Sequence, residues 1–259
     1  MLKLLLIAGS SAIMFLWLTR SASAKDPLPL TKATIKDESG ATLPYQIMTP
    51  AKAEVGKKYP LVIFLHGAGE RGTDNEKQLV HGVPQFASEE NRKKYPCFLI
   101  APQCPDGKKW VEVDWSADSH TMPKEVSISE KLTLELIDQL LKDHPIDPKR
   151  IYLTGLSMGG YGTWDLLARK PELFAAGVPV CGGADEKTAQ TLKKMPIWAF
   201  HGTKDTAVKP ARSRNMVKAL LEAGGHPKYT EYPEVGHNSW DKAYSDPEMF
   251  TWLFTQKKN

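Results

Sequence analysis

The sequence predicts an α/β protein with a mostly parallel central sheet and helices on both of its faces. Short, continuously apolar runs such as residues 60–65 and 97–101 are typical of parallel strands that are buried on both sides. Stretches with helical spacing separate many of these runs, and glycine or proline lies at the joins. A chain of 259 residues can bury a full core, and we expect one domain over residues 25–259.

Eight strands are expected along the chain. Residues 34–36 and 43–48 alternate apolar and polar positions, and a turn at Glu38-Ser39-Gly40 joins them. The other predicted strands are residues 60–65, 97–101, 151–153, 174–180, 197–200 and 229–232. Because helical sequence lies between many of them, we expect these strands to run parallel.

The helices are predicted from caps and from apolar spacing. Ser127 and Glu130 form the pattern of a capping box, and leucines at helical spacing follow until Pro145 ends the helix. Further helices are expected after residue 157, over residues 212–223 and near the C-terminus. Only one short helix fits between the strands at residues 174–180 and 197–200, so a large cap domain has no room there.

The first 24 residues predict an export signal that is removed. Lys3 precedes an apolar run over residues 4–18, and Ala22-Ser23-Ala24 matches a signal-peptidase site. We therefore expect cleavage after Ala24, a secreted or periplasmic protein, and no stable membrane insertion afterwards. An uncleaved N-terminal anchor is the alternative.

The mature chain is expected to be close to neutral. The formal charge of +4 falls to +2 when Lys3 and Arg20 leave with the signal segment, which holds no acidic residue. Nucleic acid and anionic membrane surfaces are therefore not expected as partners.

Three cysteines are an odd number for an exported protein. Cys97, Cys104 and Cys181 allow one disulfide with one buried thiol, or three free thiols. Their spacing matches no metal site.

A serine flanked by glycines lies between a predicted strand and a predicted helix. Residues 151–163, IYLTGLSMGGYGT, run from a β-branched segment through a G-x-S-x-G turn into helix-compatible sequence. Such a turn lifts the serine hydroxyl above the edge of the sheet, and a Cβ at Gly155 or Gly159 would collide with a neighbouring element. The motif predicts Ser157 as a nucleophile; an ordinary glycine-rich turn is the alternative.

Two loops downstream of Ser157 carry an acid and a histidine that can act on it. A serine hydroxyl needs a base, and the base needs a carboxylate that holds it in one tautomer. Asp205 follows the strand at residues 197–200, and His237 follows the strand at residues 229–232. The order serine, acid, histidine and the three strand ends predict a catalytic site of Ser157, Asp205 and His237.

Two other residues compete for these roles. Asp185 follows the preceding strand and is the alternative acid. His201 lies at the end of a strand and is expected to be buried or to support the site rather than to act as the base.

The loop after the third predicted strand is rich in glycine. Residues 66–72, HGAGERG, begin at the carboxyl end of a buried strand, where ligands bind in open α/β sheets. We expect the backbone amides of Met158 and Ala68 to form an oxyanion hole. His66 is expected to organise this loop through hydrogen bonds.

Four residues are candidates for substrate contacts. Gly69 and Glu70 belong to the glycine-rich loop, and Glu70 would shape the leaving-group side if it pointed inward. Trp110 and Trp115 lie in a loop at the same sheet edge, where an aromatic wall would suit a sugar or phenolic substrate. Burial in the core is the alternative for both tryptophans.

Five segments together resemble the secreted esterase branch of the α/β-hydrolases. They are LHGAGERGTDN, APQC, IDPKRIYLTGLSMGGYGTW, HGTKDTAV and VGHNSWDKAY. This branch is often labelled "predicted peptidase" and is similar to polyhydroxybutyrate depolymerases, feruloyl esterases and dienelactone hydrolases. The resemblance implies the α/β-hydrolase fold, an esterase with Ser157, Asp205 and His237 as its triad, and no metal or cofactor.

The sequence therefore predicts a carboxylic-ester hydrolase whose substrate is a small or polymer-borne ester. Two alternatives stay open. One is a serine peptidase with the same triad, and the other is a non-catalytic carbohydrate-binding module on a hydrolase scaffold.

Overall fold

The computed structural model describes residues 27–258, and their strands form one eight-stranded sheet. The strand bounds are β1 (Thr31–Lys36), β2 (Thr42–Met48), β3 (Tyr59–Leu65), β4 (Phe98–Pro102), β5 (Ile146–Leu156), β6 (Ala176–Val180), β7 (Trp198–Gly202) and β8 (Lys228–Tyr232). Their spatial order is β1-β2-β4-β3-β5-β6-β7-β8. The predicted signal segment, residues 1–24, lies outside the described residues.

The sheet is antiparallel at one edge and parallel elsewhere. β1 pairs with β2, and β2 with β4, in antiparallel fashion, whereas β4, β3, β5, β6, β7 and β8 run parallel. The predicted mostly parallel sheet is confirmed. Because parallel strands end at the same edge, the loops after β3, β5, β6, β7 and β8 come out together there.

Alternate residues of the central strands face two separate hydrophobic layers. In β3, Leu61, Ile63 and Leu65 pack into one core, and Val62 and Phe64 pack into the other. All five side chains are fully buried. The continuous apolar run in the sequence therefore reflects a strand that is covered on both faces.

Helices cover both faces of the sheet. Their bounds are α1 (Val83–Phe86), α2 (Glu89–Lys94), α3 (Ile128–Asp143), α4 (Met158–Arg169), α5 (Ala189–Leu192), α6 (Ala211–Glu222), α7 (Trp240–Ala243) and α8 (Pro247–Thr255). The first core includes side chains of α3, α4 and α6, and the second includes those of α1 and α8. None of the described helices is long and apolar enough to cross a bilayer.

The segment between β6 and β7 is short. The structure describes this stretch in full, and its helical content is a 3-10 turn at Glu186–Thr188 and the four-residue α5. The expected absence of a large cap at this place is confirmed, so the carboxyl edge of the sheet is left open here.

The largest differences from the predicted bounds are in β5 and in the C-terminal helical region. β5 begins at Ile146, before Pro148, because the Ile146 segment already pairs with Tyr59 of β3 ahead of a shift in register. The C-terminal helical region is divided into α7 and α8, since the Asp246 side chain caps α8 and Pro247 begins it.

The capping box predicted at the start of α3 is only half formed. Ser127 Oγ accepts a hydrogen bond from the Glu130 amide at 3.1 Å. The Glu130 side chain turns inward instead of bonding back; it is 1% exposed, and its Oε2 lies 4.0 Å from Arg169 Nε. Burial, with Asp165 beside it, raises the pKa of Glu130 well above its ordinary value of 4.5.

We predict that Glu130→Gln stabilises the protein at about pH 8. Since the pKa of Glu130 is raised in the folded state, folding stability is lost as the pH rises from 4.5 through that pKa. A glutamine donates to Asp165 at every pH, so the free energy of unfolding should rise by about 1 kcal/mol at the higher pH. Urea unfolding of variant and wild type near pH 4.5 and near pH 8 measures this change.

The matched control is Glu125→Gln, because Glu125 is exposed. Its unfolding should follow the wild type at both pH values. A Glu130→Gln effect that does not grow with pH would contradict the account of this carboxyl group.

Candidate active site

Ser157 occupies the turn between β5 and α4 in a strained backbone conformation. Its φ is 53° and its ψ is −117°, which L-residues rarely adopt. The Ser157 amide donates to the Val180 carbonyl at the end of β6, at 2.9 Å. The serine also stands at the N-cap of α4, where the partial positive charge of the helix favours an anion.

Two glycines let this turn pack against the end of β3. A Cβ on Gly155 would lie 2.6 Å from the Leu65 carbonyl oxygen, and a Cβ on Gly159 would lie 2.0 Å from the same oxygen. Both distances are far below van der Waals contact. Only glycine therefore fits at either position.

The structure brings Ser157, His237 and Asp205 together above the carboxyl edge of the sheet. His237 Nε2 lies 2.9 Å from Ser157 Oγ, and His237 Nδ1 lies 2.7 Å from Asp205 Oδ2. Because a carboxylate only accepts, Nδ1 carries the hydrogen and Nε2 can accept the serine proton. The His237 side chain is 27% exposed, so a ligand can reach the imidazole.

Four donors surround the Asp205 carboxylate. Oδ1 accepts from the Ala207 and Val208 amides, each at 2.9 Å, and Oδ2 lies within hydrogen-bonding range of His237 and His201. Burial acts to raise the pKa of Asp205, but the bonds from the two histidines and the Val208 amide outweigh it. They hold that pKa well below its usual range. Asp205 is therefore ionised at neutral pH.

His201 supports Asp205 from inside the core. It is fully buried, and its Nε2 lies 2.9 Å from the Val208 carbonyl oxygen and 3.2 Å from Asp205 Oδ2. Both of these partners are acceptors, so Nε2 carries a hydrogen. On the other side of the ring, Nδ1 lies 2.7 Å from Ser213 Oγ, which fixes the orientation of the imidazole.

Asp185, the alternative acid, is engaged elsewhere. It is the N-cap of the 3-10 turn at Glu186–Thr188, where its Oδ1 accepts from the Lys187 amide at 3.0 Å. Its Oδ2 accepts from the Met122 amide at 2.8 Å. The structure thus places Asp205, and not Asp185, against His237.

The His66 side chain anchors the glycine-rich loop. Its Nε2 accepts from the Cys104 amide at 2.9 Å, so its Nδ1 donates to the Gly67 carbonyl at 2.6 Å. Burial lowers the pKa of His66 to about 4, which keeps the ring in this neutral form. The His66 carbonyl accepts from the Trp110 indole at 3.0 Å.

Met158 and Ala68, the predicted oxyanion-hole residues, begin α4 and a 3-10 turn at Ala68–Glu70. Neither amide donates a backbone hydrogen bond within the described part of the chain. The loop approaches the serine closely, since a Cβ on Gly67 would lie 3.6 Å from Ser157 Cβ. Binding of an oxyanion by these two amides stays a prediction.

The expectation that Trp110 lines a substrate cleft is wrong. Its side chain is fully buried, and its ring lies 5.3 Å from the His66 imidazole. Across from it, a Cβ on Gly162 in α4 would come within 2.7 Å of Trp110 Cβ. Trp110 therefore fills the space behind the glycine-rich loop and holds that loop in place.

The other three candidates for substrate contacts stay open to test. Trp115 is partly buried against the first core, and Lys109 Nζ lies 4.7 Å from its ring centroid. Gly69 is exposed, and a Cβ there would meet nothing within 4 Å. Glu70 is largely buried next to Gly67.

Comparison with known proteins places the chain in a family. A family model described as phospholipase/carboxylesterase, of the α/β-hydrolases, matches residues 51–253. The chain belongs to this family. The chain is similar to the crystal structure of a thermostable esterase, with a TM-score of 0.83 and 40% identity. The match covers 89% of this chain and 64% of the esterase chain.

Curated relatives of this family member include two esterases. A bifunctional acetylxylan esterase/xylanase of Neocallimastix patriciarum is 32% identical over 183 residues, which are 71% of this chain and 24% of that protein. Carboxylesterase SOBER1 of Arabidopsis thaliana is 27% identical over 197 residues, 70% of this chain and 84% of the relative. The chain thus spans about a quarter of the first relative and most of the second. These matches class it among the esterase-type α/β-hydrolases.

A buried thiol lies next to the site of this phospholipase/carboxylesterase family member. Cys181 follows β6 with a φ of 39°, and its Sγ and ligand atoms of Asp205 and His237 all lie within 4.8 Å of one another. A metal ion would need the thiolate, but burial raises the pKa of Cys181 far above its ordinary range. All three cysteines are free and buried, so the alternative of one disulfide is wrong.

Trp240 is a neighbour of the site that the sequence pattern does not single out. Its ring lies 5.2 Å from the His237 imidazole at an interplanar angle of 86°. The sequence held one signal for this contact, because Trp240 is only three positions after the histidine, at the start of α7.

We predict that Gly159→Ala disrupts the fold of this family member. The new Cβ would lie 2.0 Å from the Leu65 carbonyl oxygen, and neither backbone can retreat without breaking the β3–β5 pairing. A loss of about 3 kcal/mol in the free energy of unfolding is expected.

The matched control is Gly69→Ala, where the added Cβ meets open space. Thermal unfolding should show the control within a degree or two of the wild type and the Gly159 variant far below it. Equal midpoints for the two variants would contradict the packing described for the turn.

Proposed function

We propose that this chain is a serine carboxylic-ester hydrolase in which Ser157, His237 and Asp205 form the catalytic triad. The observation that carries the proposal is the continuous pair of contacts from Ser157 Oγ to His237 Nε2, at 2.9 Å, and from His237 Nδ1 to Asp205 Oδ2, at 2.7 Å. Membership of the phospholipase/carboxylesterase family supports it. Acyl transfer by a serine needs this order of nucleophile, base and carboxylate.

In the first half-reaction, His237 Nε2 takes the proton of Ser157 as Oγ forms a bond to the ester carbonyl carbon. The carbonyl oxygen gains a negative charge. The Met158 and Ala68 amides stabilise this charge by donating hydrogen bonds to the oxygen. The bond to the alcohol oxygen then breaks, and that oxygen leaves with the proton from His237. Asp205 stabilises the imidazolium that exists between these steps.

In the second half-reaction, water replaces the alcohol. His237 takes a proton from the water as its oxygen attacks the acyl carbon, and the same amides hold the oxyanion. The bond to Oγ then breaks, and Ser157 recovers its proton from His237. The acid product leaves, and the site returns to its starting state.

The open carboxyl edge favours short acyl, aryl or polysaccharide-linked esters over long-chain lipids. Between β6 and β7, over a stretch that the structure describes in full, there are only a 3-10 turn and a short helix to cover the site. Similarity to an acetylxylan esterase/xylanase supports polysaccharide-linked esters as one substrate class.

We also propose that the chain is exported, with cleavage after Ala24. A relative from Arthroderma benhamiae, 23% identical over 237 residues, is described as a secreted protein, which supports export. N-terminal sequencing of the mature protein, expected to begin at Lys25, checks the cleavage site.

The deciding experiment compares Ser157→Ala with the wild type on p-nitrophenyl acetate. Loss of the nucleophile should lower kcat by about a thousandfold or more. Labelling with a fluorophosphonate should occur at Ser157 in the wild type and disappear in the variant. The matched control is Ser119→Ala, because Ser119 is exposed, and this variant should keep the wild-type rate.

Hydrolysis by Ser157→Ala at the wild-type rate would refute the proposal. Hydrolysis of peptide bonds with negligible esterase activity would favour the peptidase alternative. A wild-type protein that takes up no fluorophosphonate would favour the non-catalytic alternative.

A further inference from the structure

The Glu70 carboxylate lies beside the serine without a protein donor. A Cβ placed on Gly67 would be 2.9 Å from Glu70 Oε2 and 3.6 Å from Ser157 Cβ, so both groups border the same small space. The Glu70 side chain is only 16% exposed. Among residues 27–258, no side chain or amide donates a hydrogen bond to it; His81 Nε2 lies 3.8 Å from Oε1, beyond hydrogen-bonding range.

The neighbouring cation does not neutralise this carboxylate. Arg71 Nε donates to the Ala68 carbonyl at 2.9 Å, and Arg71 Nη1 donates to the Lys108 carbonyl at 3.3 Å. The Glu70 side chain is therefore largely covered by protein, and its carboxylate oxygens have no protein donor. A ligand that displaces water from these oxygens has to supply a donor in its place.

The wall that contains Glu70 continues to His237. The His81 and Trp240 rings lie 5.2 Å apart, and the Trp240 and His237 rings are again 5.2 Å apart. In the proposed reaction His237 gives a proton to the departing alcohol, so residues that adjoin its ring flank the alcohol rather than the acyl group. We call Glu70, His81 and Trp240 the leaving-group wall.

The charge of Glu70 favours one kind of alcohol. A bare carboxylate near the reacting carbonyl opposes the negative charge that develops there, and a donor on the substrate offsets this by hydrogen-bonding the carboxylate. A hydroxyl does so while it stays neutral. An ammonium group would repel the His237 imidazolium that forms in the same step, so a hydroxyl fits better.

We propose that Glu70 is a specificity-determining residue that accepts a hydrogen bond from a free hydroxyl next to the ester on the alcohol. The substrates are then esters of polyols, such as partly acylated sugars, rather than esters of simple alcohols. This inference rests on the proposed function, because it needs His237 to serve the leaving group.

The test compares two substrates that differ at one position. One is a methyl xyloside with a single acetyl group and a free neighbouring hydroxyl, and the other carries a methyl ether in place of that hydroxyl. The ratio of their kcat/KM values is measured for the wild type, Glu70→Ala and Glu70→Gln. Because each ratio is internal to one preparation, partial loss of folded protein does not alter it.

The wild type should favour the free hydroxyl by about tenfold or more. Glu70→Ala should bring the ratio close to one, whereas Glu70→Gln should keep a clear preference because glutamine retains an acceptor oxygen. The matched control is Glu125→Ala, which removes an exposed carboxylate and should leave the ratio unchanged.

A wild type without this preference, or a Glu70→Ala variant that keeps it, would overturn the assignment. Acetylcholine and its neutral analogue 3,3-dimethylbutyl acetate test the ammonium group. A strong preference for acetylcholine that Glu70→Gln abolishes would overturn the choice of a hydroxyl. If the wild type cleaves neither the sugar esters nor p-nitrophenyl acetate, the proposed function fails too. If the ratio of kcat/KM values for the two sugars is the same in the wild type and in every variant, only the role of Glu70 fails.

Discussion

The site depends on one close backbone contact, the approach of the serine turn to the end of β3. Gly155 and Gly159 lie so near the Leu65 carbonyl oxygen that neither can carry a side chain. Leu65 is the last residue of β3, and the loop that begins at His66 follows it at once. The same contact therefore sets the position of Ser157 and of the loop that faces it, without any adjustable side chain between them.

A second contact of this kind joins the acid and the histidine. A Cβ on Gly202, at the end of β7, would lie 2.4 Å from the carbonyl oxygens of both Val235 and Gly236, and the Lys204 amide donates to the Val235 carbonyl at 2.8 Å. The loops that carry Asp205 and His237 are thus packed backbone to backbone. Because a side chain at Gly202 would push the two loops apart, this backbone contact sets the spacing at which the carboxylate meets the imidazole.

The sequence predicted those features of the fold and the site that depend on where strands end and on the order of residues along the chain. Parallel strands end at one edge, so Ser157, Asp205 and His237 could be expected to meet there. The burial of Trp110 could not be predicted, because it depends on how α4 passes behind the glycine-rich loop. Glu130 followed the pattern of a capping box, yet tertiary packing against Arg169 drew its side chain inward. Local patterns specify elements and loops, whereas burial of a particular side chain is decided by distant neighbours.

The most direct test of this account is a crystal structure of the protein after inactivation with a phosphonate ester. Phosphorus should be bonded to Ser157 Oγ, with its oxygen about 3 Å from the amide nitrogens of Met158 and Ala68. His237 should remain hydrogen-bonded to Asp205. A phosphonyl oxygen that points to solvent, or a phosphonate bonded to another residue, would contradict the account.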